Sequence, residues 1–165
     1  MGSAKCPNQQ EKVLRPYQAS DREPVLQIWW ESWHSSSGFK HPKPLHDWRD
    51  RWMLLFDRHR IVVVIDSKIG SIVGFAALNV SESVLSQIFV SVDRKREGIG
   101  SILFAWAEEV SRGPLIVRTL ATNIESIRFY ERQGMIEFEN SVNEFNGEPV
   151  VGYILSARTP DHHSE

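Results

Sequence analysis

The chain has 165 residues, of which 41% are hydrophobic and 24% are charged. These proportions are typical of a soluble globular protein, and the length fits one domain with a core large enough to fold alone. The formal net charge of −2 argues against a nucleic-acid-binding protein that works through a general basic face.

The two ends of the chain are polar and read as tails, at residues 1–11 and 158–165, around a single predicted domain at 12–157. No apolar run approaches the roughly 20 residues that a membrane span needs, and no signal-peptide pattern opens the chain. We therefore expect no membrane association. The single cysteine, Cys6, cannot form an internal disulfide, which suits a reducing cytoplasm. No metal site is predicted.

The first third of the chain predicts a strand and two helices. The strand is KVLRPY at 12–17. The helix that follows carries Leu26, Trp30 and Trp33 on one face and ends near the stretch SSSGF. A second helix is predicted at about 44–58, again with apolar residues along one side.

The middle of the chain predicts three strands and a helix. IVVVID (61–66) and SIVGFAALNV (71–80) flank the turn SKIG and form a hairpin, and VLSQIFVSV (84–92) is the next strand. The helix after it begins at Gly98 or just after. It buries an apolar stripe made of Ile99, Ile102, Leu103, Trp106 and Val110.

The last third predicts a strand at 115–121 and a helix at 123–135 that is stopped by Gly134. Asn146-Gly147 lies between extended segments, which is a strong hairpin signal. The predicted order is β-α-α-β-β-β-α-β-α-β-β, a mixed α/β domain without repeats.

A basic, glycine-bearing turn joins the strand at 84–92 to its helix. It contains three cations in a row, Arg94, Lys95 and Arg96, followed by two glycines. A strand that turns through glycines into a helix offers unpaired N–H groups and a positive dipole end, which together bind phosphate. The alternative is a plain left-handed turn with a solvated basic flank.

Two familiar phosphate-binding motifs are absent. The P-loop pattern GxxxxGK[ST] does not occur, and the Gly98-Ile99-Gly100 stretch lacks the third glycine of GxGxxG. The next strand ends in Arg118-Thr119-Leu120 and supplies no acid for a ribose, so a dinucleotide oxidoreductase is disfavoured.

Two motifs resemble the GNAT superfamily of acetyl-CoA-dependent N-acetyltransferases. IFVSVDRKREGIGSILF (88–104) is similar to the signature [QR]-x-x-G-x-[GA], and NIESIRFYERQGM (123–135) resembles N-x-x-A-x-x-[FL]-Y-x-x-x-G-F. The resemblance implies a single-domain GNAT fold, with a central, twisted, mostly antiparallel sheet flanked by helices. Four positions depart from the family pattern, namely Lys95, Arg96, Ser126 and Met135.

The resemblance implies that acetyl-CoA is the cofactor. Its pyrophosphate would lie on the backbone amides of Arg96 to Ser101, and its pantetheine arm would pair with strand 84–92 like an added strand, with Asn123 on the other side. A backbone N–H near Phe89 or Val90 would polarise the acetyl carbonyl. The cofactor-binding residues implied are Phe89, Val90, Val92, Lys95, Arg96, Glu97, Gly98, Ile99, Gly100, Ser101, Asn123, Ser126 and Tyr130.

The resemblance also makes Tyr130 the catalytic side chain, the acid that protonates the departing thiolate. A phenol near pKa 10 and a thiol near about 8.5 are close enough for proton transfer along a short hydrogen bond. The alternative is that Tyr130 is simply a core aromatic residue on a helix face.

The acceptor would be a small-molecule or peptide amine. A lysine-like amine is about one-thousandth neutral at pH 7.4, a cost of roughly 4 kcal/mol, so that class needs a base. Glu31, His34 and Asp47 are candidate bases, and Gln87 and Glu82 could order a water. The residues expected to line the acceptor site are Trp30, Glu31, Trp33 and His34.

Three interpretations follow. The first is an N-acetyltransferase that transfers the acetyl group directly in a ternary complex, since no cysteine lies in the predicted site. The second is a non-catalytic sensor domain that binds CoA or acyl-CoA. The third is a structural α/β domain that binds no coenzyme. The chain is expected to be a monomer or a homodimer.

Overall fold

The computed structural model describes residues 11–36, 57–144 and 146–156. The tails, Cys6 and nearly all of the helix predicted at 44–58, with Asp47, lie outside the described residues. The described part forms three helices, α1 (Arg22–Ser36), α2 (Ile99–Val110) and α3 (Ile124–Arg132). Its strands are β1 (Lys12–Pro16), β2 (Arg60–Asp66), β3 (Ser71–Asn79), β4 (Val84–Val90), β5 (Leu115–Leu120), β6 (Ile136–Val142) and β7 (Pro149–Leu155).

The strands form one sheet in the order β1-β2-β3-β4-β5-β7-β6. Every neighbouring pair is antiparallel except β4 and β5. The prediction of a mixed α/β domain built on a mostly antiparallel sheet is therefore confirmed.

The two faces of the sheet carry separate cores. On one face, buried residues of α1 such as Leu26 and Trp29 pack against Val63 and Phe75. On the other face, α2 and α3 cover a larger cluster that includes Leu103 and Tyr130. The apolar stripe predicted for α2 is confirmed, because Ile99, Leu103 and Trp106 are buried and Ile102 and Val110 pack against the same cluster.

Strand β4 ends at Val90, two residues earlier than predicted, and Val92 lies in a short 3₁₀ turn at Val92–Arg94. Local hydrogen bonds explain the early end of the strand. The Ser91 hydroxyl donates to Asp93 Oδ1 at 2.7 Å, and the Arg94 amide donates to the Ser91 carbonyl at 2.9 Å. Such short-range bonds give the backbone an alternative to a strand ladder.

Candidate active site

The sheet opens between its two parallel strands. β4 and β5 are paired in register at one position, Val84↔Ile116, next to the bond from the Ile116 amide to the Ser83 carbonyl at 2.9 Å. Beyond that position β4 keeps its pairing with β3 as far as Val90, but β5 no longer follows it. The result is a fork in the sheet along the C-terminal part of β4.

The turn that follows β4 has a backbone suited to enclosing an anion. Arg96 and Gly98 both have left-handed backbones, with φ values of 67° and 80°. Gly98 is the residue that precedes the first turn of α2, and a Cβ placed on it would have no heavy atom within 4 Å. Space is therefore open in front of Gly98, at the positive end of the α2 dipole.

The backbone amides of this turn are available to a ligand. Within residues 11–36, 57–144 and 146–156, no protein acceptor takes the N–H groups of Arg96 through Ser101. The first amide of α2 that does donate is that of Ile102, to the Gly98 carbonyl at 3.2 Å. Consecutive amides of this kind at a helix N-terminus form an anion-binding arrangement.

The three cations predicted to attract negative charge have different environments. Arg94 is tied to Asp66 at the end of β2 and to Glu97, with Nε donating to Glu97 Oε2 at 2.6 Å. Its guanidinium lowers the pKa of both carboxyl groups. Lys95 pairs with Glu125 of α3 at 3.1 Å. Of the three, Arg96 has no carboxylate partner among the described residues, so it has the charge most available to a ligand.

The first turn of α2 lies directly against α3. A Cβ placed on Gly100 would be 3.2 Å from Cε2 of Phe129, closer than nine in ten real Cβ contacts. The two glycines of the turn therefore serve different needs, since Gly98 is required by its left-handed φ and Gly100 by the close approach of an aromatic ring.

Helix α3 carries the second set of predicted residues. Asn123 precedes the helix and caps it, because its Oδ1 accepts the amide of Ser126 at 3.2 Å. Tyr130 is 6% exposed, and no hydrogen bond joins its hydroxyl to another of the described residues. Burial raises the pKa of the Tyr130 phenol, so the hydroxyl keeps its proton throughout the physiological pH range.

The acceptor residues predicted on α1 lie on the face of the sheet opposite to the one that α2 and α3 cover. Trp30 and Trp33 are half-buried and pack against the α1 core, which also includes Phe89 of β4. His34 Nδ1 lies 2.7 Å from the Trp30 carbonyl, and the two rings are 4.3 Å apart. Glu31 is exposed and accepts a hydrogen bond from Gln27 at 2.6 Å.

Helix α1 is also tied to the end of β4. The buried Ser32 hydroxyl donates to the Val90 carbonyl at 3.2 Å.

Two polar contacts near the fork were not predicted from the sequence. His59 Nε2 lies 2.8 Å from Ser86 Oγ, and the Tyr153 hydroxyl donates to Glu131 at 3.3 Å. No motif contains both members of either pair, and the partners are 27 and 22 residues apart in the chain. The pairing of β2, β3 and β4 brings the first pair together, and the packing of α3 against β7 brings the second together.

Other kinds of site find less support in the part of the chain that the structure describes. A cavity of about 470 Å³ lies at the C-terminal end of α2, lined by residues such as Glu108, Arg112 and Leu155, away from the turn at 91–98. The described residues contain no group of three or more His, Cys, Asp or Glu side chains that could hold a metal ion. None of the described helices is both long and apolar enough to cross a membrane.

Comparison with known families agrees with this geometry. The model of the acetyltransferase (GNAT) family matches residues 22–135. The chain therefore belongs to the GNAT acetyltransferase family, a class of N-acetyltransferases that use acetyl-CoA. A search of curated protein sequences finds no match.

Solved structures share the fold at low sequence identity. Apo YjaB from Escherichia coli is 19% identical, with a TM-score of 0.72 over 87% of this chain and 96% of that one. Spermidine N-acetyltransferase from Vibrio cholerae, in complex with CoA and spermine, is 17% identical, with a TM-score of 0.69 over 90% and 97%. The putative acetyltransferase yncA from Salmonella typhimurium, with acetyl-CoA, is 13% identical, with a TM-score of 0.66 over 93% and 97%.

Proposed function

We propose that this protein binds acetyl-CoA and transfers its acetyl group directly to a primary amine in a ternary complex. The observation that carries the proposal is the run of backbone amides from Arg96 to Ser101, whose N–H groups donate to no acceptor in residues 11–36, 57–144 or 146–156. A buried phenol, Tyr130, lies on the neighbouring helix.

The residues present fit the diphosphate of the cofactor. Open space lies in front of Gly98, the amides around it can each donate a hydrogen bond, and the helix dipole adds positive charge. The Arg96 side chain can add a charge-assisted contact, because no carboxylate among the described residues neutralises it. Backbone donors dominate this arrangement, so Lys95 and Arg96, which depart from the family pattern, do not disturb it.

Acetyl-CoA supplies an acetyl thioester and leaves as the free thiol. Within this chain, the Tyr130 hydroxyl holds the proton that the leaving sulfur needs. A backbone N–H near Phe89 or Val90 stabilises the negative charge that develops on the acetyl oxygen. Among the described strands, none pairs with that stretch of β4 on its β5 side, so a cofactor arm can pair with it.

The acceptor in this proposal is a small-molecule amine. Trp30 and Trp33, three residues apart, give one face of α1 an aromatic, half-buried lining, and the same helix carries the exposed carboxylate of Glu31. Aromatic faces and a carboxylate are suited to a cationic amine. The neighbour from Vibrio cholerae that is solved with spermine supports the same class of acceptor.

Calorimetry and thiol release test the proposal together. We expect CoA to bind to the folded protein, and we expect free thiol to appear when acetyl-CoA is supplied with one of three amines: spermidine, tyramine or a peptide with a free α-amine. Binding without thiol release for any amine would favour a sensor. A folded protein with no detectable affinity for CoA would contradict both readings.

A further inference from the structure

A histidine and a serine meet at a β-bulge of the forked strand. In the pairing of β3 with β4, Ala77 is opposite Gln87 and Leu78 is opposite Leu85, so Ser86 is the extra residue of the bulge. Bulges redirect a side chain locally and are common beside active sites. The Ser86 hydroxyl lies 2.8 Å from Nε2 of half-buried His59, which immediately precedes β2.

This pair lies at the inner end of the fork. β4 leaves β5 after Val84, and Ser86 is two residues beyond that position. A cofactor arm that enters at Val90 and runs along β4 would reach Ser86 after four residues, about 13 Å at the usual strand rise. The reacting end of such an arm is therefore directed toward the bulge.

The pair also lies on the side of the sheet that faces α1. Ile61, two positions after His59, packs in the α1 core, as does Phe89 of β4. Side chains two residues apart along a strand point to the same face, which puts His59 on the side of the predicted acceptor residues.

We infer that Ser86 and His59 form a relay that removes a proton from the attacking amine, an inference that rests on the proposed acetyl transfer. As the amine nitrogen bonds to the acetyl carbon, its proton passes to Ser86 Oγ while the Ser86 proton passes to His59 Nε2. The carbon–sulfur bond breaks, and the sulfur takes the Tyr130 proton. Solvent then removes the proton from the imidazolium and restores the one on Tyr130.

The surroundings of His59 keep its imidazole neutral and able to accept. Burial lowers the pKa of His59 below its ordinary value of 6.5, and Glu82 in the turn between β3 and β4 opposes that shift. The charged neighbours on its own segment, Asp57, Arg58 and Arg60, are exposed. His59 acts through Ser86, so it is a positioning and proton-accepting residue, while Ser86 is the one that touches the amine.

The test compares pH profiles of kcat/KM for His59→Gln, Ser86→Ala and Ser86→Thr with spermidine or tyramine as acceptor. Below the pKa of His59, both the amine and the imidazole must lose a proton. The wild-type slope of log(kcat/KM) against pH should therefore steepen from one to two. In His59→Gln and Ser86→Ala the slope should stay near one, and kcat should fall about 10²-fold. Ser86→Thr keeps the hydroxyl and should recover both the rate and the steeper slope.

Three further measurements separate a relay from a structural role. The double variant should be no slower than either single variant, because the two residues act as one unit. CoA affinity by calorimetry should change by less than twofold in every variant. Ser141→Ala, on the exposed edge strand β6, is the matched control and should keep wild-type kinetics.

Two results would overturn the relay. One is a wild-type rate and slope in both His59→Gln and Ser86→Ala. The other is a loss of rate that keeps the steeper slope and that Ser86→Thr does not repair, which would indicate a structural contact. If His59→Gln does not fold, the Ser86→Ala and Ser86→Thr pair decides the question alone. Absence of CoA binding or thiol release in the wild type would instead contradict the proposed function itself.

Discussion

At the scale of the residue, Tyr130 is defined by its burial among aromatic neighbours. Its ring lies 5.6 Å from that of Phe129 and 6.3 Å from that of Tyr153. This packing explains why the residue is aromatic, and a catalytic role is not needed to explain the ring. Packing does not explain the hydroxyl, because it forms no hydrogen bond with another of the described residues.

Removing that hydroxyl tests its role. We expect Tyr130→Phe to lower kcat by about 10²-fold or more, because a positioned acid contributes 10² to 10⁴ in rate, while CoA affinity stays unchanged. Tyr153→Phe is the matched control, since it removes a hydroxyl from an equally buried tyrosine that bonds to Glu131, and its kcat should stay within twofold of wild type. Equal effects of the two substitutions on kcat would contradict an acid role for Tyr130.

The pH profile offers a second check on the same residue. Because burial raises the pKa of Tyr130 above its ordinary value of 10, the phenol stays protonated across the working range. We therefore expect that ionisation of this phenol does not lower kcat between pH 7 and pH 10. A fall in kcat over this range that occurs in the wild type but not in Tyr130→Phe would contradict the raised pKa.

Gly98 tests the anion-binding turn at single-residue resolution. Gly98→Ala should destabilise the fold by about 1 kcal/mol, because an L-residue is strained in a left-handed backbone, and it should also weaken CoA binding about tenfold or more by placing a methyl group where the ligand approaches. Gly70→Ala is matched, since Gly70 also has a positive φ of 68° with no atom within 4 Å of its Cβ position. It should show the stability loss without any change in CoA affinity measured by calorimetry.

At the scale of the element, the ion pairs of Arg94 hold the anion-binding turn to β2. Asp66 is buried at the end of β2 and also accepts the Lys68 amide at 3.0 Å. Arg94 thus joins a strand end to Glu97 in the turn. These two carboxylates neutralise the charge of Arg94, and we interpret Arg94 as a support for the turn rather than a ligand contact.

This support should be visible in acid unfolding. The Arg94 guanidinium lowers the pKa of Asp66 below its ordinary 3.8, so the carboxylate stabilises the fold fully above that value and less as the pH falls through its lower, folded-state pKa. We expect Asp66→Asn to lower the melting temperature at pH 7 and to flatten the decline in stability below pH 4. Parallel melting curves of the two proteins against pH would contradict this role.

Most elements could be predicted from the sequence because each depends on local patterning. The β-branched runs gave β2 and β3 within one residue at each end, and the apolar stripe of α2 was visible as a helical repeat. The end of β4 was placed two residues late, because the Ser91–Asp93 bond, which ends it, involves residues that hydrophobic periodicity does not register.

The site could be predicted only where a motif recorded it. Gly98, Gly100, Asn123 and Tyr130 lie in motifs and occupy neighbouring elements. His59 and Ser86 could not be found in this way, because their contact depends on the register of three strands and on a bulge. Likewise, the three cations of the turn looked equivalent, although folding brings Asp66 of β2 to Arg94 and Glu125 of α3 to Lys95.

At the scale of the whole molecule, the sheet separates two tasks. The turn at 91–98 leads into α2, and α3 carries Tyr130, on one face, whereas the predicted acceptor residues of α1 lie on the other. The sheet is open between these two faces at the fork between β4 and β5. A single domain at 12–157 remains our prediction, and the family match spans 22–135 of it.

The contact between Gly100 and Phe129 has a consequence for how the molecule can vary. Phe129 is the chain neighbour of Tyr130, and its ring fills the space that any side chain at position 100 would occupy. Enlarging position 100 would push one helix away from the other, so grip on the phosphates and aim of the phenol would be lost in the same event. The absence of a side chain at Gly100 therefore keeps both the phosphate-binding turn and the helix that carries Tyr130 in position.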